Sequence, residues 1–111
     1  MNRRQDVYVH FVWSTFGREP MLNEAVLAWL LPCFGEQARA KGCAWAEAGG
    51  VADHVHVLVA LPSSLPMSSL VQHLKGWTSR AAGAKGKELK WQPGYGAFSV
   101  SPPEVSRVLA Y

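Results

Sequence analysis

Two histidines one residue apart, His54-Val55-His56, are the residues of this chain whose types and spacing most suit chemistry. On a strand, residues i and i+2 point to one side with Cβ atoms ~7 Å apart, so both imidazoles can converge on a single metal ion. A valine-rich strand gains nothing from two neighbouring ionisable rings unless they have partners. The same spacing also suits buried neutral histidines held by hydrogen bonds, or histidines on a solvated face, and the pair alone does not separate these readings. Tyr111 closes the chain, and a tyrosine there is by type a packing residue of a terminal helix. Cys33 and Cys43 form no disulfide framework and match no zinc spacing; they read as two partly buried free thiols.

The elements that must position these residues follow from periodicity. Residues 6–14 alternate, with Val7, Val9, Phe11 and Trp13 on one face and Tyr8, His10 and Val12 on the other, which predicts a half-buried strand. Gly17 to Pro20 reads as a turn. Asn23 is placed to cap a helix carrying Val26, Trp29, Leu30, Cys33, Phe34 and Gln37, stopped by Lys41-Gly42 and kinked or broken by Pro32. Residues 43–49 read as a second strand, with Gly49-Gly50 turning the chain. The strongest strand is 51–61, with Val55, Val57, Val59 and Leu61 facing one way and His54, His56, Leu58 and Ala60 the other. Asp53, one residue before the pair, is turned away by the same alternation. Ser68 or Ser69 can cap a second helix bearing Leu70, Val71, Leu74, Trp77 and Thr78, while Ala81 to Lys87 looks frayed and His73 exposed. Tyr95 to Ser101 reads as a last strand, and Pro102-Pro103 opens a short helix capped by Ser101 and ending at Tyr111.

Strand, helix, strand, strand, helix, strand, helix is the order of an α+β ferredoxin-like sandwich. It implies one domain over 1–111, with a four-stranded antiparallel sheet, two helices on one face and a short C-terminal helix bearing the tyrosine. The first and third strands are then central neighbours. His10 falls on the sheet face of His54 and His56, opposite the valine-lined face that packs on the helices, unless the register slips by one residue.

With 111 residues, 49% hydrophobic and 17% charged, the composition is that of a single globular domain rather than a disordered chain. No apolar run approaches the ~20 residues of a membrane span, and MNRRQD opens no signal peptide, so a cytoplasmic protein is expected. The net charge of +3 permits a nucleic-acid partner without establishing one. The basic residues gather at Arg3 and Arg4 and again at Lys75, Arg80, Lys85, Lys87 and Lys90. The second group can grip phosphates or simply form a solvated face. Trp91 and Tyr95 offer surfaces for base stacking, although packing in the core against the last strand is the more ordinary role of such rings.

Four segments taken together carry a resemblance. VYVHFVWST, GGVADHVHVLVALP, SSLVQHLKGWTSR and WQPGYGAFSVSPPEVSRVLAY resemble, in this order, the single-tyrosine HUH transposases. More narrowly the chain is similar to the TnpA-like, insertion-sequence-200 type and REP-associated enzymes of bacterial insertion sequences, over residues 6–111. The resemblance implies that His54 and His56 help hold Mg²⁺ or Mn²⁺ on the scissile phosphate of single-stranded DNA, and that Tyr111 is the nucleophile. His10 is a candidate to support the metal pair from behind. Such enzymes cut one strand, keep a 5′-phosphotyrosine bond, release a 3′-OH and rejoin the strand elsewhere. The resemblance further implies DNA hairpins as partners, a homodimer, no membrane, and a bacterial, nucleoid-associated location.

The implied chemistry is coherent. A phenol with a pKa near 10 is a poor nucleophile at neutral pH, and a phosphodiester anion repels attack; a cation on the phosphate relieves both. Hard Mg²⁺ prefers oxygen to imidazole, so a third ligand is expected. In the family that ligand, a Gln or similar group, follows the tyrosine by about one turn and would lie beyond residue 111. The chain therefore reads as cut short, or as a decayed relative that binds hairpin or single-stranded DNA without cutting it. A metal- or RNA-binding ferredoxin-like domain unrelated to transposition accounts for the charge but not for the four segments together.

Overall fold

The alternation of residues 6–14 becomes β1 (Val7–Ser14), the axis on which the rest of the chain is assembled. The computed structural model describes residues 6–101. After β1 come a short 3-10 turn (Phe16–Arg18), α1 (Glu24–Ala40), β2 (Ala46–Val51), β3 (His54–Leu61), α2 (Met67–Ala84) and β4 (Gly96–Val100). The four strands form one antiparallel sheet in the order β2-β3-β1-β4, so the first and third strands are the central pair, as the pattern predicts. The fold is an α+β ferredoxin-like sandwich. Residues 102–111, with the expected short helix and Tyr111, lie outside the described residues.

The core fills the space between one sheet face and the two helices. Val9, Phe11 and Trp13 of β1 and Val55, Val57 and Val59 of β3 meet Leu30 and Phe34 of α1 and Leu70, Val71 and Leu74 of α2. Each such side chain contributes about 1.5–3 kcal/mol by leaving water. Trp13 meets Phe34 and Trp91 edge-on, at 5.4 and 6.0 Å between centroids. Trp91 is only 8% exposed and its Nε1 donates to the buried Thr78 Oγ1 at 3.1 Å, so it is a core residue rather than a platform for bases. Val7, expected on the buried face, is 54% exposed at the start of β1.

The helices depart from expectation in instructive ways. Asn23 does cap α1, its Oδ1 accepting from Val26 N at 2.9 Å. Pro32 neither ends nor breaks α1, which runs on to Ala40. The carbonyl it leaves without a donor, that of Ala28, sits on an exposed residue where water can serve it. Helix α2 starts at Met67 after Pro66, so Ser68 and Ser69 lie in its first turn and provide no cap. Its last turn is not frayed: it is helical to Ala84. A Schellman closure follows, with Lys87 N donating to Ala82 O at 2.9 Å, Gly86 N to Gly83 O at 3.0 Å, and Gly86 at φ +72°.

The β2–β3 hairpin bears most directly on the site. Gly49-Gly50, expected to turn the chain, lies inside β2 and pairs with His56 and Val55. The turn is Ala52-Asp53, and neither residue takes a positive φ. Local preference does not hold it; distant donors do. Thr15 N and Oγ1 donate to Asp53 O at 2.9 and 3.2 Å, and Leu22 N donates to Ala52 O at 2.9 Å. Strand β3 accordingly starts at His54 rather than at 51.

Candidate functional site

With β3 beside β1, the period of two puts His10, His54 and His56 on the sheet face away from the helices. All three line one open cleft of about 550 Å³ with Val12 and the bare backbone of Gly49-Gly50, and the cleft reaches past the β2 edge to Val51 and to Leu31 of α1. The His10 and His56 rings meet edge-on at 5.3 Å. Burial pulls both below the ordinary histidine pKa, with His10 and His54 adding to the effect on His56, so these two are neutral near pH 7. His10 Nε2 is buried without a hydrogen-bond partner. The His56 ring lies across Gly49: a Cβ there would stand 2.6 Å from both Cε1 and Nε2. The glycine is what lets the ring lie in this position, since a side chain there would displace it.

His54 is held differently. Its Nδ1 lies 2.9 Å from Asp53 Oδ1, and Arg18 Nε donates to Asp53 Oδ2 at 3.3 Å. Alternation would have turned Asp53 away, but residue 53 belongs to the turn and not to the strand, which lets its carboxylate fold back on the ring. The hydrogen bond from His54, followed by the Arg18 charge, holds this carboxyl below its usual range. A second cleft of about 410 Å³ shares Val12 and His54 with the first and continues past Arg18 to Gln92, Gly94 and the exposed Tyr95. Its wall is pinned: Gly17 N donates to Gln92 Oε1 at 2.9 Å, and Lys75 Nζ donates to Gln92 O at 2.8 Å and Gly94 O at 2.7 Å.

The predicted basic group is dispersed. Lys75 is committed to that loop, where burial lowers its pKa. Lys90 sits 4.2 Å over the Phe16 ring, beside the second cleft's loop. Arg80 and Lys85 belong to the helix layer, on the far side of the sheet from the histidines; Lys85 lies 5.2 Å over the Trp29 ring, and Lys87 follows just after α2. His73, expected to be merely exposed, is half-buried and hydrogen-bonded to Gln37 Oε1 at 2.9 Å, joining α2 to α1.

The model of the family described as "Transposase IS200 like" matches residues 3–111. The chain belongs to this family. It is an IS200-like transposase, and its function class is that of a transposase acting on DNA. Among solved structures, a candidate transposase from Deinococcus radiodurans R1 is 22% identical with a TM-score of 0.76, covering 100% of this chain and 92% of that one. A REP-associated tyrosine transposase bound to a REP hairpin is 16% identical with a TM-score of 0.67, covering 98% of this chain and 66% of that one. At these identities the two structures establish the fold. No curated protein matches the chain.

Within this transposase the donors gathered at the cleft suit a divalent cation. Asp53 engages His54 Nδ1, Gly49 clears room for the His56 ring, and His10 leaves a buried nitrogen unpartnered beside it. Among the described residues no group of three or more His, Cys, Asp or Glu is arranged to hold a metal. Sequence reasoning missed Gly49, Asp53, Arg18 and Gln92. The missed signal is register: a two-residue turn at 52–53 sets Val51 against His54 and therefore Gly49 against His56.

Proposed function

We propose that this transposase binds hairpin-containing single-stranded DNA and cuts and rejoins one strand through a 5′-phosphotyrosine bond on Tyr111, with Mg²⁺ or Mn²⁺ held by His54 and His56. The observation that carries this reading is the convergence of His54, His56 and His10 on one open cleft over a glycine, in a chain of the IS200-like family. The hairpin bound by the REP-associated relative supports the choice of DNA form.

In the cutting step the Tyr111 oxygen attacks the scissile phosphorus and its proton passes to solvent. The bond from phosphorus to the 3′ oxygen breaks, that oxygen takes up a proton, and the 5′ phosphate stays on the tyrosine. Rejoining reverses this, with a 3′-OH attacking phosphorus and the tyrosine oxygen leaving. One phosphodiester replaces another, so no nucleotide cofactor is consumed. When bound, the cation supplies charge neutralisation at the phosphate. His54 and His56 present ring nitrogens to it, and His10 packs the His56 ring in place. Arg18 and Tyr95 line the continuation of the cleft, where a guanidinium suits a neighbouring phosphate and an exposed ring suits a base. Lys85, Lys87, Lys90 and Arg80 serve the hairpin's backbone, Lys75 acts through the loop it holds, and the enzyme works as a homodimer.

The test mixes the protein with Mn²⁺ and labelled hairpin-bearing single strands and scores covalent adducts on a denaturing gel. An adduct is expected that disappears in Tyr111→Phe and His56→Ala, with hairpin binding kept in Tyr111→Phe. Hairpin binding without any adduct would instead make the chain a DNA-recognition module.

A further inference from the structure

We infer that Asp53 is the positioning residue of the histidine pair: its carboxylate fixes His54 in the tautomer whose Nε2 is free to take the cation. This rests on the proposed metal role of His54 and His56. An ionised carboxylate only accepts hydrogen bonds, so the 2.9 Å contact to Asp53 Oδ1 requires the proton on Nδ1. A neutral imidazole carries one such proton, which leaves the Nε2 lone pair available.

Asp53 is itself fixed from two sides. Arg18 Nε holds Oδ2 at 3.3 Å, and Thr15 N holds the residue's backbone carbonyl at 2.9 Å. Thr15 is fully buried, so the anchor belongs to the core and not to the surface. The two histidines are therefore oriented by different devices. His56 is set by packing, between the His10 ring and the Gly49 backbone, whereas His54 is set by a hydrogen bond. The device depends on residue 53 occupying the turn, because a strand residue beside His54 would point to the other face.

The experiment combines two readouts on wild type, Asp53→Ala, Asp53→Asn and His56→Ala. Imidazole ¹⁵N NMR on the metal-free proteins at mildly alkaline pH reports the His54 tautomer, and electron paramagnetic resonance of free Mn²⁺ reports affinity. In wild type His54 is expected to carry its proton on Nδ1. Asp53→Ala is expected to lose that preference and to bind Mn²⁺ roughly 10- to 100-fold more weakly. Asp53→Asn, whose amide oxygen still accepts, is expected to keep the tautomer and most of the affinity. An unchanged tautomer or unchanged affinity in Asp53→Ala, with His56→Ala losing Mn²⁺, would overturn the role of Asp53 alone. Equal loss of affinity in Asp53→Asn and Asp53→Ala would also overturn it, since charge or direct ligation would then be the cause. No Mn²⁺ binding by wild type would remove the metal reading and this inference together.

Discussion

Gly49 is where one methyl group should matter most. Its added Cβ would meet the far edge of the His56 ring at 2.6 Å, and a ring edge can swing toward the open cleft while the backbone stays put. Gly49→Ala should thus separate stability from activity. Strand alanine is intrinsically better than glycine by about 0.5–1 kcal/mol, which offsets much of the repacking. Displacing His56 by about an ångström costs on the order of tenfold to a hundredfold in rate. The expected outcome is a near-unchanged melting temperature with covalent adduct formation cut at least about tenfold; full activity would show that His56 does not need its present position. At this scale the histidines were legible in the sequence because period two needs only the strand itself. Gly49 and Asp53 were not, because their parts depend on a turn whose location is decided by Thr15 and Leu22, distant in the chain.

At the scale of elements, Lys75 shows how a predicted phosphate ligand becomes part of the framework. Its two short bonds to the carbonyls of Gln92 and Gly94 tie α2 to the loop that walls the second cleft. Hydrogen bonds from a charged donor contribute about 1.5–3 kcal/mol when shielded and less at an exposed loop. Lys75→Met should therefore lower the unfolding free energy by about 1–2 kcal/mol in a urea titration; an unchanged midpoint would mean that the loop stands without it. His73 couples the two helices through Gln37. Burial, then the charges of Lys41 and Arg80, lower its pKa below 6.5. Since the folded state disfavours the protonated ring, this stability is present above the unfolded pKa and is lost as pH falls through the lowered folded value. Wild type should lose more stability than His73→Gln between mildly alkaline and mildly acidic buffers, and parallel losses would contradict the assignment. The strand order and both helices were legible from apolar spacing. The ends of α2 were not, because Gly86 closes the helix two residues beyond Ala84 and makes AAGAKGK look loose when it is capped.

For the whole molecule, the sheet separates two chemistries. The histidines open on one side, and Arg80 and Lys85 ride on the helix layer of the other. A hairpin that uses both must pass around the edge of the sheet. Replacing Lys85 and Lys87 with Gln should weaken hairpin binding similarly across sequences and reduce the salt slope by about 0.7–0.9 for each phosphate no longer neutralised. The cutting rate at saturating DNA should hold; a fall in that rate would place these lysines at the reacting strand instead.

The most direct measurement of the central claim is the polarity of the covalent bond. A single strand is labelled at its 5′ end in one reaction and at its 3′ end in another, and each is incubated with the protein and Mn²⁺ and run under denaturing conditions. The expected result is that only the 3′-end label travels with the protein, in a Tyr111-dependent manner, and that the freed fragment ends in a 3′-OH that a polymerase extends. Protein-linked 5′ label, or cleavage with no linked product that survives Tyr111→Phe, would contradict the phosphotyrosine mechanism.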